Sequence, residues 1–170
     1  MVNFDSNQSH YVCVTGILVK NGKFLITKRA EWEKAFPNRW TVPGGKLKVL
    51  DYVLRKMDTQ HHWYNVFEDV LAREIKEETG LDVKNIGYVT SMVYLRDDKI
   101  PCIIVSLYAE LAKEEQKVNL CDALTEFAWV DLEEAKKYDL IEGIFDELVI
   151  LDNHLKDGNS MKWEKVKKPF

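Results

Sequence analysis

The chain is poor in cysteine, and the three it has, Cys13, Cys102 and Cys121, are badly placed for cross-linking. Their number is odd, their spacings are wide and no CxxC pair occurs. Neither a disulfide framework nor a structural zinc site is suggested. Cys13 and Cys102 lie inside apolar runs and read as small buried hydrophobes. Long hydrophobic runs are missing as well: none approaches the ~20 residues of a membrane span. Residues 1–10 are polar and lack the apolar centre of a signal peptide. A reduced, cytoplasmic protein without a membrane partner is the expectation. Basic charge is also short, with 24 Lys and Arg against 28 Asp and Glu and a net charge of −4. Binding a nucleic-acid polymer requires a basic face to neutralise phosphates, so that class is not expected. A single nucleotide held through a metal ion stays open, because the ion supplies the positive charge.

What is present is a globular composition, 46% hydrophobic and 31% charged over 170 residues. Domains usually run to about 100–200 residues, so one domain is expected. We assign it to residues 1–155, with 156–170 as a polar, basic C-terminal tail whose lysines at 162–168 read as a solvated end. No internal repeat or dividing linker appears.

Residues 11–20 are β-branched and apolar on both alternating faces, which suits a strand buried on both sides. Asn21-Gly22 is a tight hairpin signal, and residues 24–28 return as a second strand. Residues 30–39 read as a loop around Pro37. Residues 40–43 form a short strand ending at Gly44-Gly45. Residues 46–64 read as a short extended stretch and then an irregular excursion. A helix is expected over 65–79, closed by Gly80. Strands follow at 82–96 and 100–111, joined at Asp97-Asp98-Lys99, and another at 125–130. Asp131 caps a short helix through Lys137, and a last helix spans 141–154. This order fits an α/β class, a mixed β-sheet covered by helices.

The helix over 65–79 carries the chemistry. On a wheel stepped by about 100° per residue, Val66, Phe67, Val70, Leu71 and Ile75 share an apolar stripe. Glu68, Asp69, Ala72, Lys76 and Thr79 are placed opposite, toward solvent. Glu74, Glu77 and Glu78 are placed within the apolar stripe. Glutamate runs usually mark a solvated helix face, but here the acids stand at core positions with a Gly-Gly turn upstream. Like charges so close repel, and the cheapest resolution is a hard divalent cation such as Mg²⁺. Arg73 flanks the cluster and is spaced to pair with Glu77 one turn on.

The segment Arg73-Glu74-Ile75-Lys76-Glu77-Glu78-Thr79-Gly80-Leu81 resembles the core of the Nudix box. That pattern runs Gly, five residues, Glu, seven residues, then Arg-Glu-apolar-x-Glu-Glu-x-Gly-apolar. All nine of these positions match. Residues 40–46, Lys28-Arg29 and Trp129 after Glu126 are similar to flanking parts of the family. Two departures stand out. Asn65 occupies the position of the first box Glu, and about 14 residues are inserted between Gly45 and Asn65. Lys48 also stands where relatives often carry an acid.

The resemblance implies a Nudix-like α/β/α sandwich. It implies a hydrolase that cuts the diphosphate of a nucleoside diphosphate linked to another moiety: a nucleoside triphosphate, a nucleotide sugar or an ADP-ribose type of molecule. Glu74, Glu77 and Glu78 would bind Mg²⁺ or Mn²⁺, and Gly44 and Gly45 would let the backbone approach phosphates. Water attacks one phosphorus while the ion polarises the phosphoryl oxygens. The general base is Glu78 or Glu126; the latter reads equally as a surface strand acid. Arg29 is a phosphate-contact candidate or a plain surface charge. Trp32 and Phe36 are base-stacking candidates or loop anchors, while Trp40 reads as core. His61 and His62 read as a solvated loop. Two other functions share the fold: a nucleotide-sensing module that does not cut, and an isoprenoid diphosphate isomerase, for which Cys102 would be the cysteine. A homodimer is compatible with the family, without a residue pattern that marks an interface.

Overall fold

The computed structural model describes residues 9–95 and 99–157. The tail beyond 157, and the turn at Asp97-Asp98, lie outside them. The centre of the fold is β1 (Tyr11–Lys20). It runs parallel to β6 (Pro101–Leu111) along its full length, from Tyr11 opposite Cys102 to Val19 opposite Glu110. β5 (Val83–Leu95) pairs antiparallel with β6 and forms one edge.

The other side of β1 is shared by two strands. β2 (Lys23–Arg29) takes only its end, with Val19 opposite Phe24. The hairpin is tight because Asn21 and Gly22 both adopt positive φ, 51° and 72°, the backbone a two-residue turn requires. β2 then departs to pair with β3 (Trp40–Thr41) and with β7 (Leu124–Val130). The space it vacates is filled by β4 (Gly44–Lys46), which pairs with β1 at residues 13–15. The sequence pattern places the Gly-Gly pair at the end of a strand; the structure places it inside one. Glycine-rich strands carry no periodic signal.

Helices cover both faces. The longest, α2 (Val66–Thr79), lies on one of them. Its Val70, Leu71 and Ile75 meet Val14, Leu18 and Leu25. α3 (Leu132–Ala135) and α4 (Ile144–Lys156) lie on the other. Leu148 and Leu151 there meet Ile17, Phe24 and Ile26. Asp131 caps α3 in a reciprocal box with Glu134. Trp40 is buried and packs edge-on against Tyr138, 4.6 Å between centroids. Cys13 and Cys102 point to the α4 side, with Sγ atoms 3.0 Å apart. Among the described residues no helix is long and apolar enough to cross a membrane.

The segment between Gly45 and α2 is more ordered than its sequence suggests. It contains a one-turn helix, α1 (Leu50–Val53), too short for any periodicity to show. Tyr52 packs on Trp63 at 5.3 Å between rings, Trp63 Nε1 donates to the Arg55 carbonyl, and Tyr64 N donates to Asp58.

Candidate functional site

The site lies where β4 meets the last turns of α2. Both glycines of β4 are constrained by close approach. A Cβ on Gly44 would stand 2.7 Å from Thr15 Cα and closer still to the Val14 carbonyl oxygen. A Cβ on Gly45 would fall on the carboxylate of Glu74. The Gly44 N–H donates to Glu78 Oε2 at 2.9 Å. Two carboxylates of α2 therefore rest on two consecutive glycine peptides of β4. Gly80, at φ 73°, ends the helix with its N–H bonded to the Lys76 carbonyl. The loop after β6 then caps the end, through Asn119 N to Thr79 O and Cys121 N to Glu78 O.

Glu78 is the electrostatically unusual member. Burial pushes its carboxyl up to about 7, and the neighbouring Glu74 and Glu33 push the same way. The Gly44 N–H and Arg29 pull it down without prevailing. Glu33 is a site residue the sequence reading passed over. It holds Arg29 through a 2.6 Å ion pair, and only its i,i+4 spacing from Arg29 hints at this. Arg29 Nε also donates to the Ala35 carbonyl, so this arginine braces the loop as well as facing Glu78.

Arg73 gathers three carboxylates. Its Nη1 pairs with Glu77 at 2.9 Å. Its Nη2 lies 2.9 Å from Glu74 and 3.0 Å from Asp51, close in distance though poorly aligned for hydrogen bonds. Burial works against the Arg73 charge, but Glu74, Asp51 and Glu77 outweigh it and hold the guanidinium above its ordinary value. Five residues separate Gly45 from Asp51, the spacing at which the box pattern sets its first acid. Counting back from Arg73 puts that position at Asn65 instead, and the pairing of Asp51 with Arg73 corrects it, placing the extra residues between Asp51 and Arg73.

Three orientations expected from the helical wheel are corrected. Glu77 is not in the apolar stripe: its side chain is 59% exposed. Its wheel angle lies at the stripe's edge rather than at its centre. Conversely Glu68 and Thr79, expected at solvent, are buried. The buried arc is wider than the apolar residues suggest, and at Thr79 the loop at 118–121 covers its shoulder. Thr79 satisfies its hydroxyl on the Ile75 carbonyl, whereas Glu68 Oε1 is buried without a hydrogen-bond partner. Among the described residues, no three His, Cys, Asp or Glu side chains are gathered into a metal cage.

The remaining candidates are dispersed. Glu126 is on β7, 2.7 Å from Lys28. Strand alternation puts this pair on the face of Phe24 and Ile26, the α4 side, away from Glu78. Phe36, at φ 51°, packs on Tyr94 with ring centroids 5.6 Å apart. Trp32 is 64% exposed. His62 bonds Thr59 and stacks on Tyr64 within the insertion.

A sandwich whose sheet cradles an acidic helix end on a Gly-Gly strand defines the Nudix class of pyrophosphate-cleaving hydrolases. The family model for the NUDIX domain matches residues 10–148, and the chain belongs to that family. Among curated proteins, it is 24% identical over 141 residues to the nucleoside triphosphatase NudI of Escherichia fergusonii, covering 75% of this chain and 86% of that protein. Among solved structures, the MutT NUDIX hydrolase of Burkholderia pseudomallei superposes with a TM-score of 0.65 at 17% identity, over 85% of this chain and 99% of that one. The NUDIX domain of Shewanella oneidensis NrtR, solved with ADP ribose, superposes with a TM-score of 0.66 at 17% identity, over 90% and 94%. These two likenesses describe the fold.

Proposed function

We propose that the chain is a divalent-metal-dependent hydrolase of a nucleoside diphosphate linked to another moiety, with Mg²⁺ or Mn²⁺ held at the Glu74–Glu78 end of α2. The observation that carries this is the seating of both carboxylates on the Gly44–Gly45 strand. Mg²⁺ is commonly bound by one or two carboxylates together with substrate phosphates, not by an all-protein cage. The donor set fits that mode. Glu74 and Glu78 offer hard oxygens side by side, and burial, with Glu74 and Glu33 nearby, raises the proton affinity of Glu78. Glu77 would join only by leaving Arg73.

When bound, the ion would withdraw electron density from the phosphoryl oxygens and offset their charge. The chain's own residues do the rest. The glycine strand lets phosphates approach the backbone. Arg29 adds positive charge beside them. Glu78, held by the Gly44 N–H at the same helix end, is the candidate to take a proton from the attacking water. Glu126, on the opposite face of the sheet and paired with Lys28, takes no part in this reading. Trp32 offers an exposed ring for a base, and the E. fergusonii relative, a nucleoside triphosphatase, makes nucleoside triphosphates the first substrates to try. We place the protein in the cytoplasm, as its cysteine spacing suggests.

The test is incubation with Mg²⁺ and a panel of nucleoside triphosphates, nucleotide sugars, ADP-ribose and dinucleoside polyphosphates, with products read by chromatography. Cleavage that is lost in Glu78→Gln supports the reading. Nucleotide binding without cleavage of any member overturns it in favour of a sensor.

A further inference from the structure

We propose that the outward face of residues 46–57 is a docking surface for an anionic lipid bilayer; the inference stands apart from the hydrolase reading above. The segment shows its apolar side chains to water and hides its acids. Val49, Leu50, Val53, Leu54 and Met57 are all exposed, Leu54 to 80%. Single exposed aliphatics are ordinary. Five within nine consecutive residues form a patch of the kind that marks an interaction surface.

The arrangement follows from what the same segment turns inward. Asp51 is drawn to Arg73 at 3.0 Å and accepts from the Lys48 N–H. Tyr52 packs on Trp63, and Arg55 pairs with Asp69 at 3.0 Å. Asp58 accepts from the Tyr64 N–H. Residues 51, 52 and 55 share one side of the turn at α1, being spaced i, i+3 and i+4. Residues 50, 53 and 54 are therefore left on the other. Polar anchors hold the segment down and its aliphatic side chains face out, the reverse of a helix that covers a core.

Charge completes the pattern. Lys46, Lys48 and Lys56 are exposed around the patch, whereas the side chains of Asp51 and Asp58 are nearly buried. Lys46 Nζ rests over the Tyr11 ring at 5.1 Å. Among the described residues, Lys48 and Lys56 have no carboxylate partner. The whole chain carries a net charge of −4, so attraction to an anionic surface can come only from a local face such as this one.

The same features select the occupant. A two-fold contact with a second copy sets a patch against itself, lysines facing lysines. A protein partner would have to supply a shaped pocket for side chains that protrude from a single turn of helix. A bilayer takes them without one. Aliphatic side chains sink into the headgroup boundary, and lysine ammoniums stay at the anionic headgroups on their flexible stems. No span is involved. Because Asp51 lies on the inward side of the same turn, docking would hold the Arg73 end of α2 close to the lipid surface.

The experiment is co-sedimentation of the full chain with two kinds of vesicle, at low and at high salt. One kind is phosphatidylcholine alone; the other is equal parts phosphatidylcholine and phosphatidylglycerol. Three double variants run beside wild type: Leu50→Gln with Leu54→Gln, Lys48→Glu with Lys56→Glu, and Lys113→Glu with Lys117→Glu. The last makes the same charge change on the loop after β6. Every substituted side chain is exposed, so melting temperatures should stay close to wild type.

The expected result is that wild type sediments with the anionic vesicles, not with phosphatidylcholine alone, and that salt weakens the binding. The leucine pair and the Lys48–Lys56 pair each lower it by about tenfold or more. The Lys113–Lys117 pair changes it by about twofold at most, since exposed charges beyond a Debye length are screened. Equal sedimentation with both kinds of vesicle overturns the proposal, as does anionic binding that both patch variants retain. A wild type that ignores vesicles overturns it too. In that case a dimer that the leucine pair dissociates assigns the face to a second copy, and capture of soluble poly-glutamate assigns it to an acidic protein segment.

Discussion

Gly45 leaves no room for a side chain because Glu74 occupies the place a Cβ would take, about 2.2 Å from its carboxylate carbon and Oε1. The obstruction is the far end of a flexible side chain. Gly45→Ala should therefore fold with little loss of stability while displacing Glu74, and its turnover should fall by about 10²-fold, the scale of an ångström's misplacement. Gly44→Ala meets the Val14 and Thr15 backbone instead. It should cost about 1–3 kcal/mol or more, as overpacking does, seen as a drop in melting temperature. Calorimetry and steady-state kinetics on the two variants would separate these effects. Equal loss of stability in both would contradict the geometry.

The titration of Glu78 has a sign that can be checked. In the metal-free protein its carboxyl is raised from 4.5 to about 7. Below pH 4.5 both folded and unfolded forms hold the proton, and the stability linked to it is fully present. As pH rises toward 7 the unfolded chain releases the proton first, so that stability is lost and then levels off. The slope in between is at most about 1.4 kcal/mol per pH unit. Denaturant titrations at pH 5, 6 and 8 should show the trend in wild type and a flatter one in Glu78→Gln. Mg²⁺ binding should strengthen across the same window and release protons.

Glu147 supplies a second buried carboxyl, on the opposite side of the sheet. Burial raises its proton affinity, against a 2.5 Å hydrogen bond from Ser106. Glutamine preserves an acceptor for the Ser106 hydroxyl without a charge to desolvate. Glu147→Gln should raise the melting temperature at pH 8 and change it least at low pH. A destabilised variant at pH 8 would show that the ionised form is held by more than Ser106.

Trp32 and Phe36 were expected to behave alike and should not. Phe36 is committed to Tyr94, so Phe36→Ala should loosen the loop and lower stability by about 1–2 kcal/mol, less than a fully buried Phe→Ala change. Trp32 is exposed. Trp32→Ala should leave the melting temperature unchanged and, if the ring stacks on a base, raise KM several-fold with kcat nearly constant.

Much of the fold was legible because strand and helix periods are local. The hairpin at Asn21-Gly22, the cap at Asp131 and the terminator at Gly80 each state their geometry in one or two residues. The Arg73-to-Leu81 segment was legible for the same reason. What escaped was set by tertiary neighbours. Glu77 and Glu68 were misplaced because a wheel drawn from apolar residues does not know how wide an arc the surroundings cover. β4 escaped because two glycines and a lysine have no period. Glu33 escaped because it acts on Arg29 from a segment that looks irregular, and Asp51 because a box counted back from Arg73, rather than on from Gly45, sets its first acid at Asn65.

The parallel pairing of β1 with β6 has a consequence for how the molecule comes into being. Tyr11 finds its partner only when Cys102 is available, so the middle of the sheet closes late and pays the loop entropy of everything between. The glycine strand and the acidic helix both belong to that intervening chain. A ribosome-bound chain ending before residue 100 would carry every acid at the end of α2 and have no completed surface on which to set them. Catalytic competence should therefore arrive in one step with sheet closure, rather than grow as the chain lengthens.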